Sequence, residues 1–127
     1  MTLRQVPGEF SIGRYSADIR IEALYSRNFC SITRTTQEVS VVCESDLLPP
    51  GAISREDGWA CLEVDGTWDF SVSAVLSRIG AALSSKEVSV FAASTFDTDY
   101  ILVKRKILDK IRSALKGSGV DIILTSG

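Results

Sequence analysis

A ferredoxin-like α+β unit of order βαββαβ is what the second half of this chain predicts, with a shortened unit of the same kind before it. Three observations carry that prediction. Two apolar stretches with helical spacing, Val72–Leu83 and Ile107–Leu115, alternate with short strand-like runs in the required order. The segment Val88–Val103 sets two apolar runs around a polar turn containing Thr95, Asp97, Thr98 and Asp99. An earlier stretch, Ser31–Val42, repeats that layout and aligns without a gap to Ala92–Val103, setting Glu38 against Asp99.

Taken in order, Gly8–Tyr15 reads as a first strand with Phe10 and Ile12 on one face. Ser16–Tyr25 mixes strand and helix spacing and reads as a short helix or an irregular connection. Phe29–Thr35 and Glu38–Cys43 form the first hairpin, turning at Thr35-Thr36-Gln37. Ser45–Gly58 holds Pro49-Pro50-Gly51 and Glu56-Asp57-Gly58, breaker density that predicts a linker between two lobes, 1–57 and 58–127. Trp59–Val64 is a strand closed by Asp65-Gly66. A helix capped by Asp69 or Ser71 follows, its face made by Val72, Val75, Leu76, Ile79 and Leu83. Val88–Thr95 and Asp99–Lys104 are the second hairpin. The last helix presents Ile107, Leu108, Ile111, Ala114 and Leu115, with Gly117 at the C′ position, and Val120–Thr125 is the closing strand. Trp59–Thr125 should make one four-stranded antiparallel sheet with both helices on one face. The first lobe is too small to hold a core alone and should pack against it.

Composition narrows the function. The 127 residues are 45% hydrophobic and 24% charged with a net charge of −2, which suits a globular domain and gives no general attraction to nucleic acid or anionic membrane. No apolar run approaches membrane-spanning length and no signal peptide is visible, so the cytoplasm is the expected location. Cys30, Cys43 and Cys61 lack CxxC spacing; they read as buried reduced thiols and not as a metal site or a disulfide framework. The chain contains no histidine, which removes the commonest general base and every Ser-His or Cys-His nucleophile arrangement.

Several residues offer chemistry beside a plainer role. Asp97 suits a turn, whereas Asp99 opens a strand, where its carboxylate can meet an ammonium or guanidinium group. Ser94 and Thr95 can satisfy the free backbone groups of the turn or bond a small polar ligand. Phe96 either packs over a core edge or lids a pocket. The loop Gly66-Thr-Trp-Asp-Phe-Ser71 opens a helix, whose free amides attract anions such as an α-carboxylate. Trp59 and Trp68 read as core or lobe-contact residues. The basic tract Lys104-Arg105-Lys106, Lys110, Arg112 and Lys116 reads as a solvated helix face.

Phe29-Cys-Ser-Ile-Thr-Arg-Thr35, Glu38-Val-Ser-Val-Val-Cys43, Gly58-Trp59, Val64-Asp-Gly66, Phe70-Ser71 and Ser94-Thr-Phe-Asp-Thr-Asp-Tyr-Ile-Leu-Val103 together resemble small ACT-domain proteins of the branch related to the CASTOR arginine sensors. The resemblance runs from about Phe10 to Leu115. It implies tandem ACT units that bind an amino acid where units meet and carry no catalysis. A Thr-Phe-x-x-Asp stretch, matched at Thr95, Phe96 and Asp99, is implied as ligand-binding. Ser31, Ile32 and Thr33 are the implied contribution of the other hairpin, and Asp69, Phe70 and Ser71 a third wall. The N-terminal unit is shorter than the family pattern, and these 127 residues include no enzyme domain.

The reading that results is a non-catalytic regulatory protein, without cofactor or metal, that binds a free amino acid and associates as a homodimer or with a protein partner. Its rivals are a dimerisation module with a vestigial pocket and, more remotely, an enzyme using Asp97, Asp99 and a lysine.

Overall fold

The structure of the protein, a computed structural model, describes residues 2–65, 72–82, 89–117 and 119–124. The chain runs β1 (Thr2–Tyr15), β2 (Ser31–Arg34), β3 (Val39–Glu44), a 3₁₀ turn (Ser45–Leu47), β4 (Ser54–Asp65), α1 (Val72–Ala82), β5 (Val90–Ser94), β6 (Asp99–Lys104), a second 3₁₀ turn (Arg105–Ile107), α2 (Leu108–Lys116) and β7 (Asp121–Ile123). It divides into a larger unit, Met1–Pro7 with Ala60–Gly127, and a smaller one, Gly8–Trp59. The sequence places the division at 57/58. The structure keeps Trp59 with the smaller unit and gives the first seven residues to the larger. Glu56-Asp57-Gly58, expected in a linker, lies inside β4, and Gly8 and Gly58 supply positive φ (113° and 82°) within β1 and β4.

In the larger unit the strand order is β7-β1-β4-β6-β5. The expected four-stranded antiparallel sheet therefore gains a fifth strand. The start of β1 pairs in parallel with β7, through Thr2↔Asp121, Leu3↔Ile122 and Arg4↔Ile123. Leu3 is fully buried in the core this creates, so the segment joins the sheet for its apolar contact. The core gathers Leu62, Val64, Ile101 and Val103 from the strands, Val75 from α1, and Leu108, Ile111 and Leu115 from α2. Both helices thus cover one cluster, as their spacing predicts. Asp65 ends β4, while Leu83, Gly66 of the expected turn and the Asp69 or Ser71 cap lie outside the described residues.

The end of α2 differs from expectation in one residue. Gly117 stays right-handed (φ −67°, ψ −16°), and Gly119 takes the positive φ of 80°. Gly119 N–H donates to the Lys116 carbonyl (3.3 Å) and Val120 N–H to the Leu115 carbonyl (3.1 Å), the two bonds of a Schellman motif. Val120 and Leu115 are both fully buried, the apolar contact that accompanies such a cap.

The smaller unit orders its strands β2-β3-β1-β4, with β1 and β2 both antiparallel to β3. No helix forms among its residues. The segment 16–30 is irregular, which settles the ambiguity of Ser16–Tyr25 against a helix. This strap lays Ile19, Ile21 and Leu24 on the buried Tyr15, Val39, Val41 and Cys43, while Leu47, Leu48 and Ala52 cover the same cluster after β3. Polar side chains hold the strap, with Asp46 taking the Arg27 guanidinium (2.6 Å). Arg34 donates to the carbonyls of Ala17 (2.5 Å) and Ile19 (2.6 Å). Glu44, 1% exposed, accepts the Arg27 (3.1 Å) and Asn28 (2.7 Å) amides and the Ser26 hydroxyl (2.9 Å). Burial alone would raise the Glu44 carboxyl, but these bonds and its own backbone amide outweigh it and hold the pKa below the usual value. Phe10 and Phe29 add an edge-to-face contact at 6.3 Å.

Cys43 and Cys61 are buried as expected. Cys30 is exposed, which corrects the expectation for all three thiols: it lies just before the outermost strand of its unit, where little chain covers it.

Candidate functional site

The hairpin β5–β6 brings Thr95, Phe96 and Asp99 together. Its ladder runs from Val90↔Val103 to Ser94↔Asp99 and leaves residues 95–98 as the turn. Thr95 organises that turn. Its amide donates to the Thr98 carbonyl (2.8 Å), its Oγ1 donates to the same carbonyl (3.1 Å), and the Thr98 amide donates to Oγ1 (3.1 Å). The hydroxyl matters because it bonds backbone groups that a four-residue turn leaves without other partners. The hydroxyl-as-turn reading of Thr95 is therefore correct for this chain. Ser94 Oγ donates to Asp99 Oδ1, which orients a half-buried carboxylate across the strand pair.

Phe96 is fully exposed, so the core-edge reading fails: the turn tip carries its ring outward. Asp97 is exposed beside it. Tyr100, next along β6, has its phenol pKa raised by burial, with Glu63 adding to the effect. Of the basic tract, Arg105, Lys106, Lys110, Arg112 and Lys116 are exposed as predicted, and Lys104 is half-buried. Arg112 and Lys116 line a shallow hollow with Val120, Asp121 and Ile122.

Ser31, Ile32 and Thr33 lie along β2, partnered by Val42, Val41 and Ser40; Ser31 is half-buried and the other two exposed. Asp69, Phe70 and Ser71 lie outside the described residues.

The two hairpins have matching turns and ladders, at an offset one residue shorter than the sequence alignment proposes. Thr35 makes the turn bonds of Thr95: its amide donates to the Glu38 carbonyl (2.9 Å), and the Glu38 amide donates to its Oγ1 (3.1 Å). The last strand pair before each turn is Arg34↔Val39 in one and Ser94↔Asp99 in the other. Asp99 is thus matched by Val39, and Glu38 by Thr98. The 3₁₀ turns at Ser45–Leu47 and Arg105–Ile107 extend the match. Gapless alignment of apolar runs tolerates a one-residue slip when little identity anchors it; Thr35 against Thr95 was the anchor available in the sequence. Sequence reasoning also passed over Glu44 and Arg34. Only their offset matches, Lys104 and Ser94, hint that these two positions carry something particular to the smaller unit.

With that geometry in view, comparison with known proteins is direct. A family model described as the ACT domain matches residues 54–117. A protein of Agobacterium tumefaciens, solved by X-ray crystallography, is similar over 99% of this chain and 94% of its own, with 31% identity and a TM-score of 0.84. The chain belongs to the ACT-domain family. The fold also resembles a Vibrio cholerae protein of unknown function described as a possible transport protein (13% identity, TM-score 0.61, 89% of this chain and 85% of that one). It likewise resembles the allosteric aspartate kinase of Clostridium acetobutylicum (12% identity, TM-score 0.59, 91% of this chain and 33% of that one). No curated protein matches the chain in sequence. ACT domains are regulatory, non-catalytic units that generally bind amino acids and commonly form oligomers. Among the described residues no helix is long and apolar enough to cross a membrane.

Proposed function

We propose that this protein is a tandem ACT regulator of the CASTOR-related branch. It binds a free amino acid where ACT units meet and changes its association with itself or with a protein partner in the cytoplasm. The observation that carries this reading is Asp99: a half-buried carboxylate, held by Ser94, beside a turn that Thr95 fixes. The same place in the other hairpin is an apolar Val39. A turn alone has no need of an acid there, since the Thr35 turn forms without one. The proposed ligand contacts are Asp99 to a cationic group, with Thr95 and Phe96 shaping the site. Ser31, Ile32 and Thr33 contribute from β2, and Asp69, Phe70 and Ser71 from the loop before α1. For signalling, the ligand must bind one associated state better than the other.

The test is a melting-temperature screen against the standard amino acids at millimolar concentration, followed by Asp99→Asn. A charge-assisted hydrogen bond contributes about 1.5–3 kcal/mol, so the substitution should weaken any stabilising amino acid roughly ten- to a hundred-fold. Asp97→Asn should change affinity far less. If no amino acid shifts the melting temperature, the protein is a dimerisation module with a vestigial pocket; equal losses from both substitutions would make the turn, not Asp99, the organiser.

A further inference from the structure

The β2–β3 ladder pairs Arg34↔Val39, Thr33↔Ser40, Ile32↔Val41 and Ser31↔Val42. One more step in that register sets Cys30 opposite Cys43. The matching hairpin makes this step: the residues equivalent to Cys30 and Cys43 are Val90 and Val103, and those two are partners.

The turn fixes what kind of pair this is. Thr35 N–H donates to the Glu38 carbonyl, so 35 and 38 occupy a hydrogen-bonded position. Alternation outward makes 34/39, 32/41 and 30/43 non-hydrogen-bonded positions. At such positions Cα atoms approach to about 4.5 Å and side chains lie closest, within the roughly 4.4–6.8 Å that a disulfide spans. The two thiols are also close enough to feel each other's charge, since Cys30 contributes to the perturbation of Cys43. Both are free.

We propose that Cys30 and Cys43 are a dithiol pair that closes reversibly to a cross-strand disulfide on meeting a low-molecular-weight disulfide of the glutathione type. Their environments divide the work. Cys30 is exposed and meets the reagent; Cys43 is fully buried, and burial pushes its thiol up to about 11, so it does not react on its own. The Cys30 thiolate attacks one sulfur of the oxidised reagent. A mixed disulfide forms, and the departing thiolate takes up the proton that Cys30 lost. Cys43 then attacks the sulfur of Cys30, and the second reagent thiolate leaves with the proton from Cys43. Two protein thiols lose two electrons and two protons, and one disulfide reagent becomes two thiols. The product ties the last residue of the strap to the strand that forms its floor.

Native full-length protein should be incubated with excess oxidised glutathione, blocked at free thiols, and mapped by mass spectrometry without reduction. The expected result is an intramolecular Cys30–Cys43 link, free Cys61, and recovery of all three thiols with reduced glutathione. Cys43→Val, which keeps the core filled, should stop at one glutathione on Cys30; Cys30→Ser should take up none. Wild-type protein that stops at the mixed disulfide would overturn the proposal. So would Cys30-linked dimers, or a bond to Cys61.

Discussion

The segments Ser31–Leu48 and Phe91–Leu108 begin alike and end differently. Each has a hairpin with a threonine-organised turn, a buried return strand and a 3₁₀ turn. The residues that lead into those 3₁₀ turns, Glu44 (φ −53°, ψ 137°) and Lys104 (φ −64°, ψ 132°), have nearly the same backbone. They part at the residue after those turns. Leu108 is helical at φ −58°, ψ −41°, and α2 follows; Leu48 is extended at φ −62°, ψ 126°, and no helix follows. The cause is local: Leu48 precedes Pro49, whose ring disfavours the helical region for its neighbour, and Pro50 removes another donor. The smaller unit then covers its core with the strap and with Leu47, Leu48 and Ala52. A helix is thus replaceable as a cover, provided polar side chains anchor what takes its place.

Moving that proline should break the contrast with the largest effect. Asp109→Pro puts the ring after Leu108, disfavours the helical region there, and should unravel the first turn of α2. Lost helical circular dichroism together with a lower melting temperature would show it; an unchanged helix would mean that the proline is not what separates the units.

Next is the anchor. Glu44→Ala strips three hydrogen bonds from the strap and should cost about 2–3 kcal/mol, read by denaturant unfolding and faster amide exchange at residues 26–28. The wild type should also lose stability in acid through this group. The folded-state carboxyl lies below its unfolded value, so the stabilisation is complete above the unfolded pKa of about 4.3 and disappears as pH falls through the folded one. Glu44→Gln should flatten that part of the pH profile.

Smaller and equal effects are expected at the turns. Thr35→Ala and Thr95→Ala should each cost about 1 kcal/mol, with Ser largely restoring either. Unequal losses would mean that one turn has a further partner. Asp99→Val, which copies Val39 into the second hairpin, should move stability by no more than about 0.5 kcal/mol while removing any stabilisation by an amino acid. Calorimetric titration of the variant checks it.

Where periodicity reports packing, the sequence was sufficient. β6 spans Asp99–Lys104 as expected, and Leu108, Ile111 and Leu115 bury the predicted face of α2. It was silent where context decides. Thr2–Pro7 alternates weakly and ends in a proline and a glycine, so its place in the sheet shows only once β7 supplies a partner. Glu56-Asp57-Gly58 has the composition of a loop, yet β4 passes through it. The carboxylate of Glu44 looks like any surface acid until three donors converge on it. The candidate site was legible as residue types around a turn, but the equivalence of Asp99 in one hairpin to Val39 in the other depended on a ladder register that hydrophobic pattern leaves loose.

The parallel pairing of Thr2–Arg4 with Asp121–Ile123 bears on how the molecule is made. The larger unit uses the earliest and the latest of these residues in one sheet, so its strand set cannot close while the chain is still being synthesised through Asp121. Gly8–Trp59 has all its own strands far sooner. A pairing of such long sequence separation is also slow to find, which makes the last step of folding a search by Leu3 for a partner that arrives late.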